Sequence, residues 1–160
     1  MQGNHRTCHL CCHEYPTNFG NCGGCFGGSL SKAVTTIAVN SHDVNALIDT
    51  GSTDNYISPR IVQDLGLHVY QSGGQVTMAA TNCTSAIQGY SVVEILMQGH
   101  HYRNIKLSVL PNLCSDVLLG HDFLRLCDIV SIKFGGSKAP LTLCGLSTLA
   151  VSPPLLLSLT

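Results

Sequence analysis

The sequence predicts an all-β fold, a barrel or a sandwich interrupted by two short helices, and three observations carry that prediction. From Ser31 onward, short runs rich in Val, Ile, Thr and Leu recur, most of them separated by Gly, Asn, Pro or Asp. At 160 residues with 44% hydrophobic and only 11% charged, the chain can bury one core of ordinary domain size, with no room for two large lobes. Only two stretches carry helix punctuation, one after Ser58 and one near His121.

Taken in order, the first 29 residues differ in kind from the rest. They are dense in Cys, His and Gly with little apolar periodicity, so they bury no core without a metal or a partner. The strand-like runs follow: KAVTTIAVN from Lys32, DVNALID from Asp43, QVTMAA from Gln75, SAIQGYSVVEILMQG from Ser85, HYRNIKLSVLP from His101, DVLLG from Asp116, DIVSIKF from Asp128 and PLTLCG from Pro140. Ser58 is placed to cap a helix with Pro59 at its first position, Ile61, Val62 and Leu65 on one face, and Gly66 closing it in the left-handed conformation. The second helix begins near His121 and carries Phe123 and Leu124. Residues 147–160 form a tail or linker whose Pro pair stops regular structure. The domain proper is expected over 30–146.

Charge excludes some functions. Eight Lys plus Arg against nine Asp plus Glu give a formal charge of −1, so the basic field that draws proteins to nucleic acid or anionic lipid is missing. No apolar run approaches the roughly 18 residues of a membrane helix, and the polar start is no signal peptide. Cys83, Cys114, Cys127 and Cys144 lie singly in apolar surroundings and are expected as reduced core cysteines.

The chemistry-bearing segment is Ala46-Leu47-Ile48-Asp49-Thr50-Gly51-Ser52, in which an apolar strand delivers one carboxylate into a tight turn of hydroxyl, glycine and hydroxyl. Gly51 lets the turn close and leaves room for backbone or substrate. An Asp after a strand is also an ordinary turn former. What raises the specificity is a second run, Val117-Leu118-Leu119-Gly120 followed by His121-Asp122-Phe123-Leu124, where an apolar strand ends at Gly and turns directly into a helix.

With LIDTGS at 47–52, VLLG at 117–120, the following HDFLRLCDIVSI, VTMAA at 76–80, Gly89 and VLPNL at 109–113, the sequence resembles the retropepsin family, and within it the proteases of gypsy-type LTR retrotransposons. The resemblance spans residues 31–146. It implies a closed retropepsin-like barrel, one lobe per chain, in which the strand ending at Leu119 and Gly120 supports the Asp49 loop. It places the catalytic function on Asp49, Thr50 and Gly51, with Thr50 reaching across to a partner's loop, and substrate contacts on Ser52 and on Ala79, Ala80 and Thr81 of the flap. Ser52 stands where many retroviral members have Ala and is a candidate donor to the Asp49 carboxylate. The flap lacks the glycines common at retroviral flap tips, and His121 stands where those members commonly have an Arg.

Peptide hydrolysis by two carboxylates needs both at once, because one accepts a proton from water while the other polarises the carbonyl. One chain offers a single motif, so a homodimer with an isologous contact is expected, acting on polypeptide such as a Gag-Pol-type polyprotein. Two carboxyl groups sharing one proton place the expected activity on the acid side of neutrality. No cofactor is expected for catalysis, and the expected location is the cytoplasm or virus-like particles within it.

Cys8, Cys11, Cys22 and Cys25 form two C-x2-C pairs and are candidate zinc ligands, against the reading of a leader without a metal. The spacing departs from a retrotransposon zinc knuckle, since Pro16 occupies the His position. Two further functions stay open: a catalytically idle dimerisation or binding module on the same fold, and a zinc-dependent nucleic-acid binder centred on the leader, which the lack of positive charge and of Trp opposes.

Overall fold

Alternating apolar and polar residues at a period of two let the longer runs bury one face, and six strands close on one another. The computed structural model describes residues 5–7, 14–16, 33–77, 84–113 and 115–143, the first two segments by backbone alone. In chain order the strands are β1 (His5–Thr7), β2 (Glu14–Pro16), β3 (Val34–Val39), β4 (His42–Ile48), β5 (Tyr56–Ile57), β6 (Gln75–Thr77), β7 (Thr84–Ala86), β8 (Tyr90–Met97), β9 (His100–Val109) and β10 (Val117–Leu119). The helices are α1 (Pro59–Asp64) and α2 (His121–Leu124).

The barrel runs β10-β4-β3-β8-β9-β5 and closes back onto β10, while β1 and β2 form one two-stranded antiparallel sheet and β6 and β7 another. Two of its hairpins turn through residues at positive φ, Asn40 and Ser41 (45° and 70°) between β3 and β4, and Gln98 and Gly99 (50° and 80°) between β8 and β9. Positive φ at both central positions twists the chain in the sense the strands require. Asn40 contributes again through its side chain, whose Oδ1 accepts from the Glu94 amide at 2.9 Å.

The interior is filled by Ile37, Val39, Val44, Ala46, Ile57, Val93, Ile95, Ile105, Leu107, Val117, Leu119 and Phe123, with Ile61 and Val62 of α1 packed on it. A second cluster of Leu47, Tyr56, Leu110, Leu113 and Leu118 lies on the other side of the same strands, and Val76 and Ile87 from the roots of the β6–β7 hairpin pack against it. β10 therefore sends Val117 and Leu119 into one cluster and Leu118 into the other, which is why its run is apolar without alternation.

α1 starts after Ser58 and is followed by Gly66 at φ +61°, as its punctuation predicts. The Ser58 hydroxyl, however, makes no capping bond. The Ser58 carbonyl instead accepts from Ile61 and Val62, and its amide donates to the Asp116 carbonyl at 2.9 Å. Asp116 ties this corner together: its Oδ1 accepts from Arg60 Nη2 at 2.7 Å and its Oδ2 from the Asn45 amide at 2.9 Å, joining α1, β4 and the start of β10. Asp116→Ala is expected to cost about 1–2 kcal/mol, measured as a lower urea midpoint at unchanged m-value.

Three expectations are corrected. The run from Ser85 is two strands, β7 and β8, parted around Gly89 (φ +138°), where an added Cβ would lie 2.5 Å from the Tyr70 carbonyl oxygen. DIVSIKF and the described part of PLTLCG form no strand. With the barrel closed, β10 already has β4 on one side and β5 on the other, so these runs meet no open edge there, and Ile129, Leu141 and Leu143 are 76%, 96% and 95% exposed. Cys127 is half-buried rather than a core residue, and Cys83, Cys114 and Cys144 lie outside the described residues. No helix among the described residues is long and apolar enough to cross a membrane.

Candidate active site

β4 carries Ala46 and Leu47 fully inside and Ile48 partly so, then releases the chain at Asp49. Two neighbours in sequence hold Asp49, one at its carboxylate and one at its carbonyl. The Gly51 amide donates to Asp49 Oδ1 at 2.9 Å, and the Ser52 amide donates to the Asp49 carbonyl at 3.2 Å. The turn thus fixes one carboxylate oxygen through backbone alone, with Asp49 half-buried and Thr50 and Gly51 exposed at the tip. The Ser52 hydroxyl donates to the Asp54 carbonyl at 2.9 Å, so it braces the turn instead of reaching the carboxylate.

β10 runs parallel to β4, with Val117 opposite Ala46, Leu118 opposite Leu47 and Leu119 opposite Ile48. The pairing continues past both strand ends. The Asp49 amide donates to the Leu119 carbonyl at 3.0 Å, the His121 amide to the Ser52 carbonyl at 2.8 Å and the Asp122 amide to the Thr53 carbonyl at 2.9 Å. Gly120 makes this possible, since a Cβ there would lie 2.3 Å from the Asp54 carbonyl oxygen and 2.6 Å from that of Ser52. Leu119 and Gly120 thus lie directly behind the Asp49 loop.

The sequence reading missed Asn55. Its side chain is buried, accepts from the Gly120 amide at 3.0 Å and donates to the Lys106 carbonyl at 3.4 Å, so one amide group links the loop, β10 and β9. A polar residue directly before an apolar pair was the available signal, and it reads equally well as a turn residue. Ala79, Ala80 and Thr81 lie outside the described residues, as do Cys8, Cys11, Cys22 and Cys25. Of the segment expected as a flap, β6 and β7 are described and pair antiparallel, with Val76 opposite Ser85. Among the described residues, no group of three or more His, Cys, Asp or Glu side chains is placed to hold a metal ion.

Beside the loop, burial pushes the Tyr56 phenol up to about 12, helped by the charge of Asp54 and a hydrogen bond to it. A phenol raised in the folded state stabilises the fold fully below its unfolded value near 10, and that contribution is lost as pH climbs from 10 towards 12. Tyr56→Phe is therefore expected to flatten the loss of stability across this alkaline window, read as a smaller fall in urea midpoint between pH 9 and pH 11, on the order of 1 kcal/mol.

Asp49 is thus a half-buried carboxylate on an Asp-Thr-Gly turn, backed by an apolar strand and Gly120. Residues 35–126 match the family model described as "gag-polyprotein putative aspartyl protease", more than half of the chain and the whole of this site. The chain belongs to this family. No curated protein matches it. Among solved structures, the chain is similar to EIAV protease complexed with the inhibitor HBY-793, at 21% identity and a TM-score of 0.47, covering 57% of this chain and 84% of that one. It is also similar to the retroviral protease-like domain of Ddi1 from Leishmania major (18% identity, TM-score 0.47, 59% and 75% covered). A third is a retropepsin-like aspartic protease from Rickettsia conorii (18%, 0.47, 62% and 75%).

Proposed function

We propose that this chain is one half of an aspartic endopeptidase, completed by a second copy of itself and acting on extended polypeptide such as a Gag-Pol-type polyprotein. The observation that carries the reading is the Asp49 loop itself, a single Asp-Thr-Gly turn braced from behind by Leu119–Asp122 with its tip turned to solvent. Two such loops meeting at a two-fold axis bring two carboxylates to one water. One carboxylate takes the water's proton as its oxygen attacks the peptide carbonyl, the protonated partner hydrogen-bonds the carbonyl oxygen, and the leaving nitrogen is protonated as the C–N bond breaks.

Two further features support the pairing. The exposed apolar side chains of Ile129, Leu141 and Leu143 are the kind of surface a second copy covers. The β6–β7 hairpin offers strand backbone to an extended peptide, whose alternate side chains would fill pockets on either side. The place of action we propose is the cytoplasm or virus-like particles.

The test is incubation of the purified chain with a library of apolar decapeptides, with and without a statine-type inhibitor that mimics the tetrahedral intermediate, alongside sedimentation equilibrium. Inhibitor-sensitive cleavage by a dimer is the expected result. A chain that stays monomeric at high concentration, or a dimer that binds the inhibitor and cuts nothing, ends the proposal.

A further inference from the structure

The ladder between residues 119–122 and the Asp49 loop has a gap at its most important point. Main-chain bonds hold Asp49, Ser52 and Thr53, and the Gly120 amide holds Asn55 through its side chain. Thr50 and Gly51, at the exposed tip, are skipped by all of these. What reaches the tip is one side chain: the imidazole Nε2–H of His121 donates to the Thr50 carbonyl.

The geometry of a peptide bond makes that contact more than local. The Thr50 carbonyl and the Gly51 amide belong to the same planar unit, and the described chain contains no cis peptide, so the oxygen and the hydrogen point opposite ways. His121 holds the oxygen end. The hydrogen end donates to Asp49 Oδ1 at 2.9 Å. Rotation of this one peptide is the motion that would withdraw the donor from the carboxylate, and the imidazole opposes it. Donation into the carbonyl also polarises the peptide, which makes the Gly51 N–H a stronger donor to Asp49.

We propose that His121 is a positioning residue for catalysis, clamping the Thr50–Gly51 peptide between its imidazole and the Asp49 carboxylate so that the carboxylate keeps one orientation towards the substrate water. The inference rests on the protease reading for its kinetic consequence and on the loop geometry alone for its structural one. In this arrangement His121 acts through the peptide it holds. Its exposed ring at the mouth of α2 is otherwise an unremarkable surface histidine.

The test compares the full-length chain with His121→Leu, which removes the donor, with His121→Phe, which removes it while keeping a ring, and with His121→Gln, which keeps an N–H at similar reach. Cleavage of a fluorogenic apolar peptide is measured with active sites counted by a tight inhibitor, and amide hydrogen exchange at Gly51 is followed by NMR without substrate. Loss of the donor is expected to lower kcat roughly tenfold or more with KM within about twofold, and to speed Gly51 exchange by about tenfold. His121→Gln is expected to recover most of both effects. A Leu or Phe chain that keeps wild-type kcat and Gly51 protection overturns the proposal, and so does a Gln chain as impaired as Leu. If Leu perturbs folding, shown by a lower Tm, the Phe and Gln chains decide by the same outcomes. A wild-type chain that cleaves nothing removes the protease reading, while exchange at Gly51 still decides whether His121 clamps the loop.

Discussion

Replacing Asp49 with Asn is expected to lower peptide cleavage at least about a thousandfold while leaving the barrel and the dimer intact. Asn has nearly the shape of Asp, and its Oδ1 still accepts from the Gly51 amide, the one side-chain bond Asp49 makes within its turn. The fold therefore has little reason to change. What disappears is the capacity to accept and return a proton, which no amide supplies. Cleavage assays, circular dichroism and sedimentation on the same preparation separate the two effects. An Asn variant that still cuts places the chemistry elsewhere in the chain.

Gly120→Ala is expected to be the most damaging single change to stability, at roughly 3 kcal/mol or more. The added methyl would lie 2.3 Å from the Asp54 carbonyl oxygen and 2.6 Å from that of Ser52, and both are backbone atoms that cannot swing aside as a side chain would. Either the loop or β10 must move, and the bonds from Asp49, His121 and Asp122 across that gap are lost with it. A fall in Tm of at least about 10 °C is expected by calorimetry. Gly73→Ala is the control, since a Cβ there meets nothing within 4 Å. Equal stability of the two variants would mean that the loop has slack that its bonding does not suggest.

Much of this architecture could be read from residues because local and long-range demands agree. The strand ending at Asp49 is apolar for the barrel and ends in a turn former for the site, and α1 carries its start and stop residues in plain order. What stayed hidden depends on neighbours that sequence order does not reveal. β5 is two residues long and exists because β9 and β10 flank it on either side, so neither length nor periodicity betrays it. DIVSIKF has every local property of a strand, but strandness is a relation to a free edge, and the closed barrel offers it none. Asn55, Asp116 and His121 are ordinary polar residues whose roles appear only when segments 65 to 71 positions apart are laid side by side.

β10 has a consequence in time as well as in space. The Asp49 turn is complete in sequence by Ser52, yet its rear wall consists of residues 117–122, and β10 is the strand that joins β4 to β5 and so shuts the barrel. During synthesis the Asp49 turn leaves the ribosome before the segment that shapes it, and parallel pairing across such a separation waits for both partners. A chain in which residues 117–122 have yet to emerge thus carries the acid without the wall that aims it, and on the proposed function proteolysis would wait for that segment.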